Sequence, residues 1–270
     1  MKRLILLSII TALISSSCTK NIHLNLQNAS GLLVIEGNIS DQSGPYTVML
    51  SKTVTYYDSN NIIPVSGAHI TIADNAGNND SLLEVSPGKY QTTSIVGTVG
   101  RIYHLSVNNG GKQYDAYSTM NPPVSIDSIG VLTFSFFGRS QTRTFIQFHD
   151  PAASVNYYKA YMYLNRNKQS KVNPINDNLN NGITIQTFLS TDSGFQKHDT
   201  LVAELDAIDQ PMYNYWSSLN SSTLSTQTAA PASPTSNISN NALGYFSAYA
   251  AAQSHTIVID SFGMGYHRIN

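Results

Sequence analysis

From Leu32 onward the chain is a succession of short runs in which apolar, β-branched and aromatic residues alternate with polar ones, each closed by Gly, Pro, Asn or Asp. A period of two sends successive side chains to opposite faces of a sheet, so the pattern predicts half-buried strands. The runs fall at 32–39, 46–51, 68–73, 81–85, 89–92, 101–107 and 113–118. Between them stand Ser43-Gly44-Pro45, Asp74-Asn75-Ala76-Gly77, Ser86-Pro87-Gly88 and Asn109-Gly110-Gly111, residues that turn a chain by positive or fixed φ. In the run at 68–73, Ala68, Ile70 and Ile72 share the inward face. Seven strands in about 90 residues predict an immunoglobulin-like or transthyretin-like β-sandwich over 31–120.

Asn121-Pro122-Pro123 interrupts this pattern, because two prolines stop strand pairing and stiffen a link. The reading is therefore mainly β, with a second β-rich domain over 121–270. Its strands are expected at 126–136, 143–148, 157–164, 183–188, 200–206, 243–249 and 256–259. One short helix near 209–220 breaks the series: Asp209 can cap it, Pro211 suits its first turn, and Met212, Tyr213, Trp216 and Leu219 recur at helical spacing. From 221 to 241 the chain is mostly Ser, Thr, Ala, Pro and Asn, which reads as a long surface loop.

The first residues follow a different order. Met1-Lys2-Arg3 precedes an apolar run from Leu4 to Ile14, and Ser15-Ser16-Ser17-Cys18 follows. Charge, apolar segment and small residues in that sequence predict a secretion signal over 1–17. The run is too short to span a bilayer, which takes roughly 20 apolar residues. Cys18 is the one cysteine, so no internal disulfide can form, and its place after three serines resembles a lipobox. Lipidation of Cys18 would give several acyl chains, more than the two signals needed for stable anchoring. Residues 18–30 then read as a lipidated terminus and tether. Thr19-Lys20-Asn21-Ile22-His23 contains no acid, which favours the periplasmic face of an outer membrane over the cell surface.

Charge changes the picture by exclusion. Only 11% of residues are charged, 15 basic against 16 acidic, with a net charge of −1. A nucleic-acid binder would carry a basic patch or an excess of Lys and Arg, so nucleic acid is not an expected partner.

Several motifs carry a family resemblance: Val34-Ile35-Glu36-Gly37, the stretch from Gly44-Pro45-Tyr46 to Lys52, Pro64-Val65-Ser66-Gly67-Ala68, Ser86-Pro87-Gly88-Lys89-Tyr90, Val99-Gly100-Arg101-Ile102-Tyr103, Phe148-His149-Asp150-Pro151, and Ala242-Leu243-Gly244-Tyr245-Phe246-Ser247-Ala248-Tyr249. Together they resemble a family of outer-membrane lipoproteins of Bacteroidota, domain of unknown function 4249. The stretch from Pro64 to Ile72 with Gly88-Lys89-Tyr90 is also similar to the regulatory-like sandwich domains of carboxypeptidases. The lipoprotein resemblance covers nearly the whole mature chain and implies an envelope protein, often found beside TonB-dependent outer-membrane transporters. It brings no catalytic residues. The family usually has acidic residues after its cysteine, and this chain does not.

Chemistry is sparse. The seven histidines show no i, i+2 or i, i+4 pair, so neither a metal nor another cofactor is expected. His149-Asp150 and His198-Asp199 are neighbours whose side chains should diverge on a strand. No Gly-x-Ser-x-Gly elbow or complete dinucleotide fingerprint is present. Asp74 to Asp80 could offer calcium its oxygens, but has the composition of a hairpin turn. Tyrosine is the abundant functional side chain, 16 in all. Tyr157, Tyr161 and Tyr163 share one face of a predicted strand, and Tyr245 and Tyr249 share a face of another. They can form a binding surface for peptide, glycan or protein, or simply a sandwich face whose hydroxyls reach water. Ser81, Ser128 and Thr200 each follow an aspartate and precede an aliphatic residue, a triplet resembling an O-glycosylation signal.

The expected function is a non-enzymatic, membrane-anchored accessory or binding partner of a TonB-dependent transport system. A structural envelope scaffold or assembly factor is the alternative. A hydrolase drawing on Asp150, Glu204, Asp206 and Asp209 is the third.

Overall fold

The computed structural model describes residues 31–54, 62–192, 194–224, 233–252, 255–259 and 265–269. The signal, Cys18 and the tether lie outside them. No helix among the described residues is long and apolar enough to cross a membrane.

The chain is mainly β, with one helix among the described residues. Strands β1 (Leu33–Ser40), β2 (Thr47–Lys52), β3 (Ile63–Pro64), β4 (His69–Asp74), β5 (Asn79–Ser81), β6 (Leu83–Ser86), β7 (Lys89–Gln91), β8 (Ile102–Asn109) and β9 (Lys112–Thr119) make up the first half. The second contains β10 (Ile126–Phe136), β11 (Arg139–His149), β12 (Tyr157–Leu164), β13 (Asn167–Lys168), β14 (Asn173–Asn176), β15 (Thr184–Leu189) and β16 (Thr200–Ile208). Helix α1 (Gln210–Leu224) and strands β17 (Leu243–Ala251), β18 (His255–Val258) and β19 (Gly265–Ile269) complete it.

One large sheet runs β13-β12-β16-β17-β1-β2-β7-β6, with β14, β18 and β3 pairing at its sides. Two four-stranded sheets, β5-β4-β8-β9 and β15-β11-β10-β19, complete the architecture. The first core joins Ile35, Ile39, Val48 and Leu50 of the large sheet to Ile70, Ile72, Tyr103, Leu105 and Val107. The second joins Tyr158, Ala160, Met162, Leu201, Ala203 and Leu205 to Ile129, Ile146, Phe148 and Ile185. Each small sheet thus makes a sandwich with one half of the large one. Ile70 and Ile72 are fully buried and Ala68 packs beside them, as the alternation predicts.

The two halves are not separated at residue 121. Strand β17 pairs in parallel with β1, from Val34 opposite Leu243 to Ser40 opposite Tyr249, and antiparallel with β16. Its Phe246, Ala248 and Ala250 lie in the first core, among residues two hundred positions earlier in the chain. The partition into 31–120 and 121–270 is corrected accordingly: the C-terminal segment closes the N-terminal sandwich. The run at 81–85 is likewise two strands, since β5 pairs with β4 in a small sheet while β6 pairs with β7 in the large one. Part of the expected surface loop at 221–241 is also structured. Helix α1 takes its first four residues, Ile238 is buried, and Asn237 accepts from the Phe246 N–H at 3.0 Å and donates to the Phe246 carbonyl at 2.7 Å.

Asp209 caps α1 as expected: its Oδ1 accepts from the Met212 N–H at 3.1 Å. Its Oδ2 accepts from the Ser118 hydroxyl at 2.8 Å and the Thr119 N–H at 2.9 Å. Burial raises the carboxyl's pKa despite these bonds. One residue therefore starts the helix and pins it to β9.

Candidate functional site

The face of the large sheet opposite the two cores carries α1. Alternation decides what faces the helix. On β12 the core takes Tyr158, Ala160, Met162 and Leu164, leaving Tyr157, Lys159, Tyr161 and Tyr163 on the other side. On β17 the core takes Phe246, Ala248 and Ala250, leaving Tyr245, Ser247 and Tyr249. Asp206 and Glu204 are the corresponding residues of β16, cross-strand from Lys159 and Tyr161. Helix α1 covers part of this surface with Met212, Tyr215 and Trp216, which pack on Tyr157, Tyr245 and Tyr249.

Beside the helix lies a recess of about 440 Å³, within the usual range for small-ligand sites. Asn38, Lys159, Tyr161, Lys168, Trp216, Tyr245 and Tyr249 line it, with 169, 170 and 172 closing one side. It sits where β17 joins the two halves of the chain, so residues from both ends contribute.

Lys159 is the centre of its electrostatics. The side chain is 8% exposed, and its ammonium lies 2.7 Å from Asp206 Oδ2. The same ammonium is 4.8 Å from the Tyr249 ring centroid, 5.2 Å from Tyr161 and 5.6 Å from Trp216, an aromatic cage around a cation of the chain's own. Burial pushes the Asp206 carboxyl up to about 6 even though Lys159 opposes it. Its two oxygens have no hydrogen-bond partner beyond that ion pair, and the Trp216 Nε1 and Ser247 Oγ are also buried without one. Lys168, on the exposed rim, stands 4.1 Å from the Tyr161 ring centroid. Desolvation, followed by the charge of Lys159, lowers its pKa. Desolvation also raises the Tyr161, Tyr245 and Tyr249 hydroxyls, so all three stay neutral donors and acceptors at physiological pH.

Of the tyrosines expected from sequence, Tyr161, Tyr245 and Tyr249 meet in the recess. Tyr163 stands beside Tyr161, ring centroids 5.9 Å apart, outside the lining. Tyr157 lies at the other end of β12 and packs against Tyr213 of the helix at 5.4 Å. The sequence does not single out Lys159, Lys168 or Asn38, and it places Trp216 on the helix's apolar face without linking it to a site. Lys159 was within reach, because it shares the alternating face of Tyr157 and Tyr161.

The remaining candidates have local roles. Asp150 is fully buried, accepting from the Tyr158 hydroxyl at 2.6 Å and the Gly182 N–H at 3.1 Å, while His149 is exposed. Asp150, Asp209 and the Glu204–Asp206 pair thus occupy separate places. Asp74 and Asp80 accept hydrogen bonds from the chain, Asp80 from the N–H groups of Thr93, Ser94 and Ile95. Those bonds outweigh burial and hold Asp80 down at about 2. No cluster of three His, Cys, Asp or Glu side chains with metal-site geometry occurs among the described residues. Ser81 is exposed and Thr200 half-buried, but Ser128 is fully buried with its hydroxyl on Gln147 at 3.0 Å. That burial withdraws Ser128 from the glycosylation candidates, since no glycan fits there in the folded chain.

A mainly β protein of two sandwiches sharing one sheet, with an aromatic recess beside its helix, is the class that fold and site define. The model of the family described as domain of unknown function DUF4249 matches residues 19–255, and the chain belongs to that family. It matches no curated protein.

Proposed function

We propose that this is a non-enzymatic binding protein of the cell envelope, anchored through lipidated Cys18 at the periplasmic face of the outer membrane. It serves there as accessory to a TonB-dependent transporter. The observation that carries the binding role is the recess: rings from β12, β17 and α1 converge there beside the ammonium groups of Lys159 and Lys168. Aromatic faces with a few placed polar groups are what a small-ligand site offers. This favours a binding role over a purely structural envelope scaffold, for which a preformed recess has no use. The lipid would confine the protein near its partner, replacing affinity with local concentration.

The test uses native envelopes. Wild-type protein is expected in the membrane fraction after a carbonate wash, and Cys18→Ala in the soluble fraction. Detergent extraction of the wild type should co-purify a large β-barrel protein. Wild-type protein that washes off freely, or repeated purification without a barrel, contradicts the proposal.

A further inference from the structure

We infer that the recess takes a saccharide bearing a carboxylate, seated against the aromatic rings with its acid group at Lys168. The inference rests on the binding role proposed above and names the ligand class.

The lining excludes other classes in turn. A cationic ligand would compete with the Lys159 ammonium, which already occupies the cage of Tyr161, Trp216 and Tyr249 and is held by Asp206 at 2.7 Å. A purely apolar ligand would cover the ammonium groups of Lys159 and Lys168. What remains unanswered in the recess is donors. Lys168 makes no ion pair among the described residues. The ten lining residues include two lysines and no Asp or Glu. The carboxylate of Asp206 is spent on Lys159, and Glu204 stands across from Tyr161 outside the lining. A ligand that brings oxygen acceptors and one negative charge completes this set.

The rings supply the second half of the recognition. Tyr161, Trp216, Tyr245 and Tyr249 come from three different elements, and Trp216 and Tyr245 stand 5.4 Å apart at 55°. Inclined ring faces present an amphipathic surface that suits a sugar, whose C–H face is apolar and whose rim is hydroxylated. The side of the recess beyond Lys168 is fixed in advance: Gln169 accepts from the Asp192 N–H at 2.9 Å, and the Ser170 N–H donates to Asp192 at 2.7 Å. A preformed wall lowers the ordering cost of binding.

Trp216 is the chain's one tryptophan, so its fluorescence reports the recess directly. The full mature chain is titrated with cellobiouronic acid, with cellobiose, which lacks only the carboxylate, and with trialanine, which has a carboxylate on a peptide body. Cellobiouronic acid is expected to shift the Trp216 emission and to bind about tenfold more tightly than cellobiose, the worth of one charge-assisted hydrogen bond. Lys168→Met should erase that preference, so that the two sugars bind alike, and Lys168→Arg should keep it. Lys168 is exposed, so both variants are expected to melt like the wild type. Equal binding of the two sugars, tighter binding of trialanine, or no response to either sugar overturns the inference. None of these results overturns the binding role itself, which is tested by crosslinking from the recess in native envelopes.

Discussion

Gly244→Val is expected to abolish the native fold or cost more than about 4 kcal/mol, the range reserved for gross backbone conflict. Gly244 stands opposite Ile35 in the parallel ladder between β17 and β1, with φ of +95°. A β-carbon there would lie 2.0 Å from the Ile35 carbonyl oxygen and 2.8 Å from its carbon, so one of the two strands must move. The positive φ adds strain for any residue but glycine, most of all for a β-branched one. The consequence spreads because Phe246, two residues on, fills the space over Gly37, where a β-carbon would come within 3.2 Å of the ring. Losing β17 opens the first core and removes Tyr245 and Tyr249 from the recess together. Urea unfolding and Trp216 emission measure both effects. A Gly244→Val protein with the wild-type midpoint and emission would mean that β17 does not pair with β1.

Lys159→Met should be the second most damaging change, at about 3–5 kcal/mol, because it strands the fully buried Asp206 without its cation. Restoring balance with Asp206→Leu in the same chain should recover most of that loss. The pH dependence separates this cause from simple loss of packing. Asp206 is raised to about 6 from an ordinary 3.8, so the folded chain binds the proton more tightly than the unfolded chain. Its contribution to stability is therefore full below about 4 and declines as pH rises through about 6. Lys159 is what holds the carboxyl from rising further, so in Lys159→Met the decline should extend to higher pH. The variant is then expected to lie closest to the wild type near pH 4 and furthest from it near pH 8. A deficit that does not change with pH would show that the ion pair is not the source.

Local order was legible in the sequence because it depends on local chemistry. The strand at 126–136 and that at 157–164 match β10 and β12 at both ends, and the cap at Asp209 is where the pattern placed it. Partners distant in sequence were not legible. Nothing in residues 243–251 announces a parallel pairing with β1, since alternation fixes which side chains point inward but not which strand lies alongside. The hairpin joining β12 to β13 was missed for a different reason. It turns through Asn165 and Arg166 at φ of 49° and 69°, without the glycine that usually marks such a turn. Lys168, carried on that hairpin, was missed with it. Trp216 was correctly placed on the apolar face of the helix, and only the assembled sheet shows that this face ends at a recess.

The most direct test of the binding role is photocrosslinking in native envelopes. A photoreactive residue replaces Val172 at the recess in one lipidated protein, and Ile102, exposed on the sheet across the first core, in another. A discrete adduct from position 172 and none from position 102 is the result the account predicts. No adduct from position 172, or the same adducts from both positions, contradicts it.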